Sequence, residues 1–457
     1  MILKEAGQSE RVRKHVLSGL LCLGRRTITG LICTQGGIDR DWTADYRLYS
    51  HKRVDPMELF DTVRNRVSRM IEADQPVVVS FDDTKIRKTG RKIPGVKYML
   101  DPLGPKFQVN IMLAQRFLQC SIALPEPSGQ ARMIPIDFQH TPVPVKPRKT
   151  APKEDWEDYR TAMREHALPR VAGERLQRLR REMDASGEAD RELWTVVDGG
   201  FTNRNFFKAM PEQTTFIGRI RKDAKLFAMP EPNAKGRPKV YGERMPTPEE
   251  LRQDDSVAWT EVTAFAAGKQ HEFRIKTMEN LRWKSAGKNH TMRLIVIAPL
   301  GYRLQKDGKL LYRKPAYLIC NNPDADLQKI LQAYIWRWDI EVNFRDEKTL
   351  LGVGQAQVRN PESVQRVPAL AAAGYATMLC AWHELKRAGS VISEFISPKW
   401  NRKKPLRASA QSLILRLRRE VWKGAITFRH FDKRGANESK PLKSMVNPET
   451  AVFCAYS

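Results

Sequence analysis

The sequence predicts an α/β protein of several parts: a helical N-terminal domain, a strand-and-helix core interrupted by a β-rich insertion, and a helical, basic C-terminal region. Three observations predict it. Val-rich apolar runs, PVVVSFDDT from Pro76 and WTVVDGGFTN from Trp194, have the length of strands and run into acids. Helical periodicity marks ERVRKHVLSGLLCLG, PMELFDTVRNRVSRMIEA and YIWRWDIEVNFRDEK. Over residues 224–315 the texture changes to Pro/Gly turns and short alternating runs such as HEFRIKTM and MRLIVIAP. At 457 residues the chain is long enough for two or three domains, and its core needs no covalent staples.

In order, residues 1–70 read as a helical domain, a candidate DNA-binding unit whose two main helices flank the turn-rich TQGGIDRDWTADYRLYSHKR. Residues 71–223 form the first part of the core. There KFQVNIMLAQRFLQCSIALP sets Phe107, Val109, Ile111 and Leu113 on one strand face. A Pro-rich basic connector, TPVPVKPRKTAPK, leads to a highly charged stretch that reads as two helices split near Pro169. TTFIGRIRKD is a further strand, with Arg219 and Arg221 alternating along it. After the 224–315 insertion, residues 316–390 complete the core with an Ala-rich buried helix, and 391–457 form the basic C-terminal region.

Lys and Arg number 79 against 52 Asp and Glu, a net charge of +27 that attracts polyanions. The cations are spread along the chain with no basic amphipathic helix bearing an aromatic insertion face, which favours nucleic acid over a membrane surface. The longest uncharged run, Val367 to Trp382, is 16 residues, short of the roughly 20 that span a bilayer. Six scattered cysteines without a CxxC pair, and eight histidines without HExxH, argue against a secreted disulfide framework and a protein-built zinc site. A soluble, cytoplasmic protein, nucleoid-associated when bound to DNA, is expected. No GxxxxGK[ST] or GxSxG motif occurs, so nucleotide-phosphate loops and serine hydrolase chemistry are unsupported.

On one continuous helix Tyr334, Arg337, Glu341 and Lys348 point at about 0°, 300°, 340° and 320°, sharing a sector about 60° wide. Leu331, Ile335, Trp338 and Val342 form an adjoining apolar stripe suited to docking, and Asp339, Asp346 and Glu347 point elsewhere. Glu341 is thereby singled out, with cations beside it suited to a phosphate backbone. Two more acids close the apolar strands: Asp82 before Asp83-Thr84, and Asp198 before Gly199-Gly200, 116 residues apart (198 − 82). Three carboxylates without histidine or thiolate suit hard divalent cations such as Mg²⁺. Two such ions serve in-line displacement at phosphorus.

These residues resemble the DDE transposases of bacterial insertion sequences, and among them the group with the Tyr-Arg-Glu-Lys signature, spaced Y-x2-R-x3-E-x6-K. Tyr334, Arg337, Glu341 and Lys348 match it at every position. The resemblance implies a ribonuclease-H-like mixed-sheet core over 71–223 and 316–390, interrupted by the β-rich domain. It implies that Asp82, Asp198 and Glu341 bind two Mg²⁺ ions, with Mn²⁺ able to substitute, and that Tyr334, Arg337 and Lys348 contact transposon-end phosphates. Trp283 is the candidate for holding a flipped base, and Arg219 and Arg221 for lining the DNA channel. The expected partner is double-stranded DNA, both element ends and target, bound by a homodimer that synapses two ends. The expected reaction is cleavage at terminal inverted repeats followed by joining of 3′-hydroxyl ends to target DNA. The alternative is a domesticated or inactive transposase acting as a non-catalytic DNA-binding protein.

Overall fold

The computed structural model describes residues 2–37, 39, 41–101, 103–105, 107–231, 239–302, 309–390 and 407–422. It opens with helices α1 (Ile2–Glu5), α2 (Glu10–Leu21), α3 (Ile28–Thr34), α4 (Thr43–Ser50) and α5 (Pro56–Met70). Ser9, Thr27 and Asp55 start α2, α3 and α5 by accepting the backbone N–H of Val12, Gly30 and Met57, which satisfies donors that a helix start leaves unpaired. The stretch read as turn-rich thus contains α4. Strands β1 (Val77–Arg87), β2 (Lys97–Leu100), β3 (Ile111–Pro125) and β4 (Ala131–His140) follow, then α6 (Lys153–Glu165) and α7 (Leu168–Ala185). The charged stretch does split where expected, because Pro169 sits in the first turn of α7, where its missing N–H leaves no bond unmade.

Next come β5 (Leu193–Val197), α8 (Arg204–Ala209), β6 (Thr214–Arg219), β7 (Leu226–Ala228), α9 (Pro248–Gln253), β8 (Thr260–Ala266), β9 (Lys269–Trp283) and β10 (Met292–Ile297). The short β11 (Gly301–Tyr302) and β12 (Leu311–Tyr312) pair with each other, and β13 (Ala316–Cys320) precedes α10 (Leu327–Trp336), α11 (Asp339–Thr349), α12 (Pro361–Arg387) and α13 (Ala410–Trp422). The described strands build a mixed sheet in the order β2-β3-β1-β5-β6-β13-β10-β9-β7, with β4 beside β3 and β8 beside β9. β1, β5 and β6 run parallel and the other pairings are antiparallel. Of the strands of residues 224–315, β7, β8, β9 and β10 extend this same sheet, through β10 on β13, while β11 and β12 form a separate pair.

Helix α12 packs on α5 and β4 with Ala369, Ala372, Ala373, Ala376 and Leu379 buried, so the Ala-rich run is an interior helix. Among the described residues no helix is long and apolar enough to cross a membrane.

Two sequence expectations are corrected. Phe107 and Val109 lie ahead of β3 and are 88% and 79% exposed. The pairing of Met99 with Met112 and of Leu100 with Ile111 turns Met112 inward and Ile111 outward, so the predicted apolar face of this strand looks to solvent. The signature segment is also not one helix: Arg337 and Trp338 break it into α10 and α11. In α11 the buried face is Asp339, Ile340, Asn343, Phe344, Asp346 and Glu347, whereas Trp338 is 62% exposed.

The reason is the surface that α11 covers. Strand β4 presents an open edge there, and a strand edge needs hydrogen-bond partners, not methyl groups. Asp339 accepts from the Met133 N–H (3.0 Å), and Asn343 donates to the Met133 carbonyl (2.9 Å). Arg407 pairs with Asp339, and the Tyr375 hydroxyl donates to Asp346 at 3.2 Å. Asn343→Ala should leave the buried Met133 carbonyl unpaired and lower the unfolding free energy by about 1–3 kcal/mol, read from urea denaturation; an unchanged midpoint would show that water replaces the amide.

Candidate active site

Strand β1 pairs with β5 from Val77 opposite Leu193 to Ser80 opposite Val196, a register offset of 116 residues (193 − 77). Asp82 lies two residues past the last pair on β1, and Asp198 is the first residue after β5, so the parallel register brings both to the same end of the strand pair, near enough for the charge of Asp198 to be felt at Asp82. Asp82 is not at the end of its strand, as expected from the sequence, but inside it. β3 partners β1 as far as Arg87 opposite Ala114, while β5 stops at Val197. Beyond Ser80 the chain of β5 turns away, and both carboxylates face the space it leaves.

That turn is made by Asp198 itself, whose Oδ1 accepts the Gly200 N–H at 2.8 Å. A Cβ on Gly200 would come within 3.2 Å of this oxygen, so the tight turn favours glycine. Asp82 Oδ1 accepts the Asp83 N–H at 2.8 Å.

Both acids line a cleft of about 1220 Å³ that also takes in Glu341, Arg337, Arg219, Arg221 and Trp283. Burial pushes the Asp82 carboxyl up to about 7, helped by the neighbouring Asp198 and opposed by the Arg337 guanidinium. Burial also raises Glu341, with Arg337 opposing and Asp198 assisting. Arg337 is buried, with Nη1 4.0 Å from Asp82 Oδ2, and its Nε has no hydrogen-bond partner. It sits over the Tyr334 ring at 5.7 Å, a cation–π contact that supports the guanidinium from behind.

The structure brings Arg337 and Glu341 of the signature into the cleft and leaves Tyr334 and Lys348 outside its lining. At the break Arg337 and Trp338 keep helical dihedrals, but the Trp338 N–H donates to Ile335 O and the Ile340 N–H to Arg337 O, a tighter turn than the α-helical one. Lys348 is exposed at the far end of α11, where partial desolvation lowers its pKa against the pull of Glu347, Asp101 and Asp83. Arg219, the last residue of β6, stands on the cleft wall; Arg221 is beyond the strand and paired with Asp223 at 2.8 Å. Trp283 lines the cleft and packs edge-to-face on Phe207, so it serves the core as well.

Sequence reasoning missed Lys222, Arg252, Lys314 and Trp338 on the cleft walls. Lys222 adjoins the basic run that contains Arg219 and Arg221, a signal that was available. Trp338 carried no such signal, because its apolar side chain fits a core stripe equally well.

A cation-binding role fits these residues. Two neighbouring carboxylates disfavour each other's ionisation, and a divalent ion between them reverses that penalty. Among the described residues no three His, Cys, Asp or Glu side chains form a ready-made shell. A hard ion that keeps waters and shares substrate oxygens does not require one.

A cleft with acids on its floor and cations on its walls is of the class suited to phosphodiester chemistry. Comparison with protein families supplies the particular one: the family described as DDE superfamily endonuclease matches residues 3–285, and the chain belongs to it. Membership implies a metal-dependent nuclease or transposase with DNA as substrate. The matched residues include Asp82 and Asp198, while Glu341 lies beyond them. A comparison with curated proteins gave no match.

In the unfolded chain Asp82 ionises near 3.8, against about 7 in the fold. Between these values the folded protein holds a proton that the unfolded chain has released. The group's contribution to stability is therefore full below about pH 4 and is lost as the pH rises to about 7. Urea unfolding of the metal-free protein at about pH 5 and about pH 7.5 should show a smaller fall for Asp82→Asn than for the unaltered protein. Equal falls would remove Asp82 as the cause.

Proposed function

We propose that the chain is the transposase of a bacterial insertion sequence, of the group with the Tyr-Arg-Glu-Lys signature, acting through a ribonuclease-H-like core formed by residues 71–223 and 316–390. The observation that carries this reading is the shared cleft: Asp82 within β1, Asp198 just after the adjacent parallel strand β5, and Glu341 from α11 beside Arg337 all line it. Asp82, Asp198 and Glu341 would hold two Mg²⁺ ions, which would supply activation of the attacking oxygen and stabilisation of the leaving one.

The chain's own residues do the rest. Arg337, placed over the Tyr334 ring and lining the cleft, offers its guanidinium to a phosphate oxygen at the cut, a charge-assisted contact. Arg219, Lys222 and Lys314 line the path of the DNA backbone, and Trp283 and Trp338 offer aromatic faces to an unstacked base. Lys348 engages the backbone further along. Cutting both ends of an element in one complex calls for a homodimer.

Asp82→Ala, Asp198→Ala and Glu341→Ala should each abolish Mg²⁺-dependent cleavage of duplexes carrying the element's terminal repeats while keeping DNA affinity. Full cleavage by any of them removes that residue from the site. Lys348→Ala should weaken DNA binding and reduce the slope of log K against log salt by about 1. Supplying pre-cleaved ends with target DNA separates a transposase, which joins them, from a nuclease, which leaves them unjoined.

A further inference from the structure

Helix α11 starts on a buried acid. Asp339 is almost covered, and a carboxylate in such a place needs a cation that stays with it. That cation comes from the C-terminal region. Arg407 Nη2 pairs with Asp339 Oδ1, while Nη1 donates to Asp339 Oδ2 at 3.3 Å and to the carbonyl of Ala131, the first residue of β4, at 2.7 Å. Strand β4 returns the contact, because Arg132 Nη2 donates to Ala408 O at 2.6 Å. One guanidinium therefore grips both oxygens of Asp339 and a carbonyl of the sheet, a planar fork that fixes direction as well as distance.

The segment that carries Arg407 is anchored at its other end too. In α13 Ala410, Leu413 and Ile414 are buried, and Arg416 lies over the Trp382 ring of α12 at 5.6 Å. Arg418, also buried, donates to Leu21 O at 3.2 Å and to Cys22 O at 2.8 Å, at the C-terminal end of α2. Residues 407–422 thus run as a strap from α11 and β4 to the N-terminal helices. Asp339 and Glu341 share the first turn of α11 and stand about 200° apart around it. A grip on one side of that turn sets where the other side points.

We propose that Arg407, held in place by the 407–422 strap, is a positioning residue for Glu341: it fixes the first turn of α11 through Asp339 and so places the third acid in the cleft. The inference rests on the proposed function in taking Glu341 as an acid of the reaction. The test uses the full chain, cleavage of the terminal-repeat duplexes in Mg²⁺, DNA affinity, and hydrogen exchange along the chain. Arg407→Lys keeps the charge but cannot form the fork, and it should lower the cleavage rate at saturating DNA about tenfold; Arg407→Ala should lower it about a hundredfold. Both should bind DNA as before, with faster exchange confined to α11 and the β4 edge. Because Arg407 acts through Asp339, adding Asp339→Asn to Arg407→Ala should slow cleavage no further. If Arg407→Ala does not fold, Arg407→Lys alone decides. A full rate in the variants overturns the proposal, as does a loss accompanied by faster exchange throughout the protein, which marks a merely structural residue. Weaker DNA binding with an unchanged saturated rate overturns it as well, by making Arg407 a DNA contact. The two readings fail separately: if the unaltered protein cuts no DNA the transposase reading falls, while faster exchange confined to α11 in Arg407→Lys still upholds the grip of Arg407 on that helix.

Discussion

Because β1 and β5 run parallel in a fixed register, Asp82 cannot move relative to Asp198 without slipping a strand whose Val77, Val78 and Val79 are all buried. A slip of one residue would send each of these side chains to the opposite face, against neighbours packed for a different shape, and would break the ladder that β1 makes with β3 and β5. The cleft inherits this rigidity. Two like charges are kept side by side, and the resulting repulsion is what gives the site its appetite for cations.

The third acid depends on a different kind of contact. Glu341 faces the cleft because Asp339 and Asn343, on nearly the opposite side of α11, are bonded to the backbone of Met133. A purely apolar stripe would have left the β4 edge unpaired and the rotation of the helix about its axis less defined. Buried polar contacts of this sort are costly when incomplete, and here each has a partner in the sheet, in α12 or in Arg407. Arg337, at the break between α10 and α11, then serves as the internal counter-ion for Asp82 and Glu341.

Part of the excess positive charge converges on the cleft, where Arg219, Lys222, Lys314 and Arg337 share the lining with the three acids. Within the cleft, cations on the walls balance acids on the floor.

The candidate residues of the cleft were legible in the sequence because their signals are local: apolar runs that lead into Asp82 and Asp198, and a polar pattern around Arg337 and Glu341. Even the 116-residue separation of the two aspartates was visible, although only the pairing of β1 with β5 gave it meaning. The break at Arg337–Trp338, the burial of Asp339, Asp346 and Glu347, and the exposure of Phe107, Val109 and Trp338 were not legible. Periodicity says which side chains share a face, whereas burial depends on what that face meets. By itself the sequence determined the residue types, the order of strands and helices and the positive charge. Only the tertiary structure decided which face of α11 met the backbone edge of β4, and hence which acid turned toward the cleft, because that choice is made by partners more than 200 residues away in the chain.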